Sequence, residues 1–404
     1  MSVADAAMKA ELFETPSESG ARARLRRLTL TDFRSYARAD IELDGRPVAI
    51  AGANGAGKTN ILEAISLIGP GRGLRSARLD ELPRIEGAGG WAVSARLESG
   101  GDERRLGVGA TASAPDRRVC RIDECSVSGP AAFSDAVRFM WLTPAQDRLF
   151  MEGASERRRF LDRMTLAHDA AHGRAANDYE LAMRQRQKLL DERRRDEAWL
   201  GALETQMAAA GVAIAAARRE TAGALAAADV ADAADADGAF PGADIALEGD
   251  LEAALERTPA GDVEEEFAER LKANRRLDTE AGRALLGPHR SDLLVTHREK
   301  GRPARLCSTG EQKALLIGLV LANARALALR SRFAGGSPAP LILLLDEIAA
   351  HLDESRRVAL FDILDALGFQ AFMTGTDQSL FSGWGDRAQA LSVAGGRITE
   401  TELK

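Results

Sequence analysis

The fold is decided by Gly52-Ala53-Asn54-Gly55-Ala56-Gly57-Lys58-Thr59. This stretch follows the apolar run Pro47-Val48-Ala49-Ile50-Ala51 and precedes Asn60-Ile61-Leu62-Glu63-Ala64-Ile65, whose apolar residues have helical spacing. Glycines let backbone N–H groups turn inward around a phosphate, and the start of a helix presents the positive end of its dipole to the same anion. A strand, a G-x-x-x-x-G-K-T loop and a helix together predict a site for a nucleoside triphosphate.

Two side chains in this loop have predicted chemical roles. The ammonium group of Lys58 is expected to reach the β- and γ-phosphates and to act in catalysis, and the hydroxyl of Thr59 is expected to hold Mg²⁺. A chance glycine-rich turn would require neither the strand nor the helix. The residues predicted to contact the nucleotide here are Gly52, Ala53, Asn54, Gly55, Ala56, Gly57, Lys58, Thr59 and Asn60.

Composition and charge narrow the class of protein. The 404 residues are enough for about two or three domains, and no apolar run approaches the roughly 18 residues of a membrane span. Residues 1–22 lack the features of a signal peptide, so we predict a flexible extension on a cytoplasmic protein without a membrane partner. Cys120, Cys125 and Cys307 are not spaced as metal ligands. The net charge of −7 means that any nucleic-acid contact must come from local basic patches.

Strand patterns occupy the two ends of the chain. Alternating residues at 24–43 predict a hairpin, and short segments separated by turn residues predict an antiparallel sheet. Between 156 and about 283 strand signals are almost absent, and the Ala-, Arg-, Glu- and Leu-rich composition predicts a helical lobe. The individual predictions are strands at 91–97, 104–108, 119–122, 137–142, 341–345 and 369–373, helices at 179–190, 199–219 and 308–329, a helix end plus variable loop at 224–239, a linker at 335–338 and a hairpin at 390–399.

Two acids follow the apolar run Leu341-Ile342-Leu343-Leu344-Leu345. Such a run predicts a buried parallel strand, and ligands bind at the carboxyl ends of these strands. Asp346 is therefore predicted to lie beside Mg²⁺, and Glu347 is predicted to be the general base that activates water.

The stretch Ser308-Thr309-Gly310-Glu311-Gln312-Lys313 resembles the signature motif of ABC-type ATPases, in the form used by DNA-repair members. The resemblance implies that Ser308 and Gly310 contact the γ-phosphate of ATP held by a second subunit. A Ser–Gly helix start is an anion site, which agrees with that role. Without other motifs the stretch would be only a helix N-cap, and its place between the glycine loop and the acidic strand end favours the functional interpretation.

The order of motifs along the chain is similar to that of the RecF family of bacterial recombination and replication-repair ATPases. The similarity extends from about residue 25 to 398. It implies ATP and Mg²⁺ as cofactors, weak DNA-stimulated ATP hydrolysis and an ATP-dependent homodimer. It also implies binding to single-stranded DNA and to single-strand/double-strand junctions, with RecO and RecR as partners in loading RecA. The matching stretches are 32–36, 155–162, Tyr179-x-x-x-x-Arg184-Gln185-Arg186, 287–293, 308–313, 346–353 and 374–376.

Several positions depart from the family pattern, among them Gln187, where the family often has Asn. Ser291 stands where the family usually has Asp, and Ala145-Gln146 stand where an acidic Glu-Asp commonly follows the proline. Gln146 is the candidate for the metal-sensing glutamine of ABC ATPases. Residues 374–376 occupy the place of the switch histidine of many ABC ATPases, which predicts weaker γ-phosphate sensing.

Basic residues are concentrated in the predicted lobe, including residues 193–195. Arginines on helices usually pair with nearby acids on a solvated face. Their concentration in an acidic protein nevertheless favours a surface that follows DNA phosphates, which we predict to contain Arg157, Arg158, Arg184 and Arg186.

The predicted fold class is α/β: an ABC-type ATPase head, with a mixed sheet, flanking helices and an antiparallel β subdomain, and an inserted α-helical lobe. The predicted parts are the extension (1–22), the first half of the head (23–150), the lobe (151–283) and the second half of the head (284–404). The alternatives are another SMC-type repair ATPase, which should carry a long heptad arm, a transporter nucleotide-binding subunit, and a binding module with a vestigial site.

Overall fold

The computed structural model describes residues 24–192, 196–233, 239–333 and 341–403, with side chains undescribed at 230–233 and 331–333. The predicted extension (1–22), the basic run 193–195, the linker 335–338 and part of the variable loop (234–238) lie outside the described residues. The strands are β1 Arg24–Phe33, β2 Tyr36–Glu42, β3 Val48–Ala51, β4 Trp91–Ser99, β5 Asp102–Thr111, β6 Ala114–Ile122, β7 Cys125–Val127, β8 Arg138–Leu142, β9 Ala243–Glu248, β10 Asp292–His297, β11 Arg302–Pro303, β12 Leu341–Leu345, β13 Gln370–Gly375, β14 Gln389–Ala394 and β15 Arg397–Thr401. The helices are α1 Lys58–Leu67, α2 Ala154–His168, α3 His172–Asp191, α4 Glu197–Ala233, α5 Asp250–Ala254, α6 Ala260–Ala273, α7 Arg275–Ala281, α8 Thr309–Phe333 and α9 Glu354–Leu367.

The central sheet has the strand order β15-β14-β3-β13-β12-β8. Neighbouring strands from β14 to β8 are parallel, and β15 is antiparallel to β14 at the edge. All five residues of β12 are buried, because helices and the second sheet cover both faces. The loops after β3, β13, β12 and β8 therefore meet at one edge of this sheet.

A second, antiparallel sheet has the order β2-β1-β4-β5-β6-β7. Its apolar face shares one buried cluster with α1 and with one face of the central sheet. The sequence predicted β1, β2, β4, β5 and β6, because alternation with period two and Gly, Ser, Pro and Asp turns mark them. Strand β6 begins earlier than expected, and the three-residue strand β7 was not predicted. The predicted α/β head with an antiparallel subdomain is confirmed.

The helical lobe has its own buried cluster, which extends from Tyr179 to Leu271. Helix α2 does not belong to it: Phe160 and Leu161 pack in the head cluster with β8 and α8. The helical segments Glu197–Asp229 and Thr309–Arg330 are long and apolar enough to span a membrane, but 50% and 83% of their most apolar windows are buried inside the protein. Packing within the fold accounts for their apolar character.

The prediction that 156–283 contains almost no strand is wrong at one place. Strand β9 pairs antiparallel with β10, with Ile245 opposite Val295, in a small sheet of order β11-β10-β9. Only Ile245 in this segment is β-branched, so its local propensity for a strand is weak. Pairing with a distant strand decides its conformation.

Candidate nucleotide-binding site

The glycine loop has a backbone that other residues could not easily adopt. Gly55 and Gly57 have positive φ angles of 78° and 111°. A Cβ on Gly57 would lie 2.7 Å from the hydroxyl oxygen of Tyr36, and a Cβ on Gly52 would lie 2.3 Å from the carbonyl oxygen of Val393. The loop is therefore shaped both by backbone conformation and by close neighbours.

The turn between β1 and β2 supports the loop and the start of α1. Tyr36 donates from its hydroxyl to the carbonyl oxygen of Gly57 at 3.0 Å, and Asn60 donates from Nδ2 to Ser35 Oγ at 3.0 Å. Burial raises the pKa of Tyr36 above its usual range, so the hydroxyl remains a donor. The 32–36 motif, which was noted above only for its similarity to the family, therefore supports the glycine loop and the start of α1.

Lys58 lies inside the loop and is 3% exposed. Its Nζ donates to the carbonyl oxygens of Gly52 and Ala53 at 2.7 and 3.0 Å. The ammonium group is thus held inside the loop, a position that agrees with its predicted contact with phosphate.

Asp346 lies directly beside Thr59, although the two residues are far apart in the chain. Thr59 Oγ1 donates to the Asp346 carboxylate at 3.0 Å, and the Asp346 backbone N–H donates to the Leu142 carbonyl oxygen at 2.8 Å. Asp346 is 5% exposed. The parallel order of β3, β13, β12 and β8 brings these residues to one edge, as the sequence predicted for Thr59 and Asp346.

Thr374, at the end of β13, joins the two acids. Its Oγ1 donates to Asp346 Oδ1 at 2.7 Å and accepts from the Glu347 backbone N–H at 2.9 Å. Glu347 has φ of 56°, a left-handed conformation that is strained for a residue with a side chain. Sequence reasoning did not assign this role to Thr374, because it depends on β13 lying between β3 and β12.

Thr374→Val is expected to lower the rate of ATP hydrolysis about tenfold while nucleotide affinity changes less than about twofold. Valine has the shape of threonine but can neither donate to Asp346 nor accept from Glu347. Thr374→Ser keeps the hydroxyl and is expected to stay near the wild-type rate. Steady-state hydrolysis and binding of a fluorescent nucleotide measure the two effects, and equal rates for the Val and Ser variants would contradict this role.

The residues present fit a magnesium nucleotide. A hydroxyl and a carboxylate are the ligands that Mg²⁺ takes beside substrate phosphates, and Thr59 and Asp346 supply this pair. The positive-φ glycines and the Lys58 ammonium surround the space where phosphates would bind. Within the described ranges, no cluster of three or more His, Cys, Asp or Glu suitable for a metal occurs.

Gln146 lies in the turn after β8, the strand beside β12. Its Oε1 accepts from the backbone N–H of Thr143 at 2.9 Å, so the side chain caps its own turn. The turn is at the same sheet edge as Asp346. This position is compatible with the predicted metal-sensing role, which stays a prediction.

The signature stretch lies on the surface at the start of α8. Ser308 and Gly310 are exposed. Ser308 and Glu311 cap each other, since the Ser308 backbone N–H donates to Glu311 Oε2 at 2.8 Å and the Glu311 N–H donates to Ser308 Oγ. Hydrogen bonds from Lys300 and from Ser308 lower the pKa of Glu311 to about 2. The neighbouring Leu306 is 47% exposed, an apolar side chain on the same surface.

The prediction of a DNA-binding surface is wrong for Arg186. Its side chain is 1% exposed and donates to Glu204 Oε1 at 2.9 Å, to Asp278 Oδ2 at 2.7 Å and to the Leu271 carbonyl oxygen at 2.6 Å. A guanidinium enclosed in this way cannot reach a DNA phosphate in this conformation. It joins its own helix α3 to three others, α4, α6 and α7, inside the lobe.

Arg157 and Arg158 lie where the head meets the lobe. Arg157 pairs with Asp292 at 2.7 Å and has a side chain that is 16% exposed, while Arg158 donates to the Ser291 carbonyl oxygen at 2.6 Å. The structure therefore brings the 155–162 and 287–293 motifs together and occupies both arginines with contacts inside the protein. Of the four predicted arginines, Arg184 is the one with a largely exposed side chain, at 66%.

Comparisons with known proteins decide the family. A family model described as RecF/RecN/SMC N terminal domain matches residues 24–398. The DNA replication and repair protein RecF of Mesorhizobium japonicum is 52% identical over 384 residues, which cover 95% of this chain and 99% of the relative. This chain belongs to the RecF family. RecF of Rhizobium leguminosarum bv. trifolii is 51% identical over 377 residues, which cover 93% of this chain and 98% of the relative.

Solved structures agree on the fold. The recombination mediator protein RecF with ATP, from the RecFOR pathway, superposes with a TM-score of 0.79 at 21% identity and covers 94% of this chain and 100% of that chain. An SMC head domain from Pyrococcus furiosus gives a TM-score of 0.52 at 16% identity and covers 94% of this chain and 97% of that chain. The ABC-type head shared by RecF and SMC proteins is therefore the fold of this RecF family member. Among the alternatives from the sequence, membership in the family favours the RecF interpretation.

Proposed function

We propose that this RecF family member is an ATP-dependent DNA-binding protein of recombinational repair and replication restart. In this proposal ATP closes a homodimer on DNA, and slow hydrolysis, stimulated by DNA, reopens it. The observation that carries the proposal is the contact between Thr59 and Asp346, because it assembles the two predicted Mg²⁺ ligands from distant parts of the chain.

The signature surface supports a site shared between two copies. Strands β3 and β8 have two strands between them, so the loops that follow them start about 14 Å apart. Lys313 joins the start of α8 to the loop after β8. We therefore infer that the signature residues lie nearer the β8 side of the sheet edge than the glycine loop after β3. Ser308 and Gly310 are exposed there, with the apolar Leu306 beside them. A second copy that presents these residues to the first copy's nucleotide would complete the site and cover Leu306.

Each side chain would have its own chemical role in such a site. Lys58 and the loop N–H groups would bind the phosphates, and Thr59 with Asp346 would hold Mg²⁺, which neutralises phosphate charge when bound. Glu347 would accept a proton from the attacking water. Thr374 would hold both acids in place, and Ser308 and Gly310 of the partner copy would contact the γ-phosphate end.

The DNA and protein partners are proposed from the family. RecF proteins are named for DNA replication and repair, and the solved relatives belong to the RecFOR pathway. We extend this to binding at single-strand/double-strand junctions and to joint action with RecO and RecR in loading RecA, in the cytoplasm. The discriminating experiment compares a junction with a blunt duplex of equal length, each with ATP and with ADP. Tighter binding to the junction with ATP is expected, and equal affinity in all four mixtures would contradict the proposal.

Arg184 is the remaining candidate for a phosphate contact in the lobe. Arg184→Ala is expected to weaken DNA binding and to reduce the slope of log affinity against log salt by about 1, as for one lost phosphate contact. Its ion pair with Glu180 is long, at 3.6 Å, so the guanidinium is available. Fluorescence anisotropy over a salt series measures the slope. An unchanged slope would remove Arg184 from the DNA-binding surface.

A further inference from the structure

An ion pair between a buried lysine and a partly exposed aspartate joins the signature helix α8 to the loop that carries Gln146. Lys313 donates from Nζ to Asp147 Oδ2 at 2.9 Å, and its side chain is 9% exposed. The other carboxylate oxygen, Asp147 Oδ1, is buried and accepts no hydrogen bond from the described residues. A buried ammonium group requires a nearby carboxylate, so separating the loop from α8 would leave a charge without its partner.

Apolar packing makes the same connection. Leu149 and Phe150, which follow Asp147, are 3% and 4% exposed and share the head cluster with Leu315 and Leu316 of α8. The Leu149 backbone N–H donates to the Gln146 carbonyl oxygen at 2.9 Å, which fixes Gln146 relative to these apolar side chains. The loop and the start of α8 are therefore held together as one unit.

We propose that Lys313 and Asp147 are positioning residues that couple the Gln146 loop of one nucleotide site to the signature residues Ser308 and Gly310. The inference rests on the proposed dimer, in which the signature of each copy serves the site of the other. A nucleotide bound beside the Gln146 loop of one copy then determines the position of that copy's own signature residues, which serve the site of the other copy. Binding at one site promotes completion of the opposite site, and the two sites become cooperative.

The test uses the full chain with Asp147→Asn and, separately, Lys313→Met. Sedimentation measures dimerisation against ATP concentration, steady-state hydrolysis gives the Hill coefficient, and fluorescent ADP measures affinity at a single site. We expect the ATP concentration for half-dimerisation to rise about tenfold and the Hill coefficient to fall toward 1, with ADP affinity unchanged. Arg330→Met is the matched control, since Arg330 lies on the same helix in a more exposed pair with Glu220.

A conservative exchange and a second variant separate positioning from general damage. Lys313→Arg keeps the charge and should recover most of the cooperativity. Should Lys313→Met fail to fold, which circular dichroism would reveal, Asp147→Asn carries the test, because Asp147 lies in a partly exposed loop. If the wild type dimerises with ATP and the variants match it in dimerisation and in Hill coefficient, this inference is overturned while the proposed function stands. A wild-type chain that stays monomeric with ATP contradicts the proposed function as well.

Discussion

Glu347→Gln is expected to slow ATP hydrolysis by at least about a hundredfold and to leave a dimer that persists as long as ATP is present. Glutamine keeps the size of the side chain but cannot accept the proton of the attacking water. The variant should still bind ATP, because Lys58, Thr59 and Asp346 are expected to hold the phosphates and Mg²⁺. Phosphate release and sedimentation on the same sample measure the two effects.

The matched control for this prediction is Glu354→Gln, an exposed acid in the first turn of α9. It changes the same chemical group outside the site and should hydrolyse ATP at about the wild-type rate. Hydrolysis by Glu347→Gln at the rate of this control would mean that another residue is the base.

Arg186→Met is expected to lower the free energy of unfolding by about 3–5 kcal/mol. The substitution leaves the carboxylates of Glu204 and Asp278 buried without the guanidinium that joins them, and these side chains are 2% and 0% exposed. Arg275 would still pair with Glu204, at 2.7 Å. Asp278 would therefore lose more of the positive charge that stabilises its carboxylate than Glu204 would. Urea unfolding followed by circular dichroism measures the change.

Arg184→Met is the control from the same helix. Its side chain is 66% exposed, and exposed ion pairs contribute about 0–1 kcal/mol, so its unfolding free energy should stay within that range of the wild type. Similar losses of stability for the two variants would mean that the buried network does not hold the lobe together.

The sequence predicted those parts of the site that depend on one strand and the residues just after it. Asp346 ends an apolar run, and such a run is buried in a parallel sheet with its carboxyl end at the ligand edge. Thr59 follows a loop whose spacing is set by the phosphates themselves. Thr374 was not predicted as the residue that joins the two acids, because local sequence patterns do not determine the order of strands in a sheet.

The burial of Arg186 could have been read in part from its helix. Tyr179, Ala182, Arg186 and Leu189 recur at helical spacing and lie on the buried face of α3. That periodicity argues against a surface position even for an arginine. Its partners could not be predicted, because Glu204 and Asp278 lie on two other helices. Strand β9 was missed for a similar reason, since pairing with β10 outweighs its weak propensity.

In the proposed function, ATP closes two copies of this chain into a dimer that binds DNA. Its most direct test is the sedimentation of the wild type and of Lys58→Met with ATP, with ADP and without nucleotide, in the presence of labelled junction DNA. We expect a DNA-bound dimer only for the wild type with ATP, and monomers in the other five mixtures. The same mass and the same DNA binding in all six mixtures would contradict it.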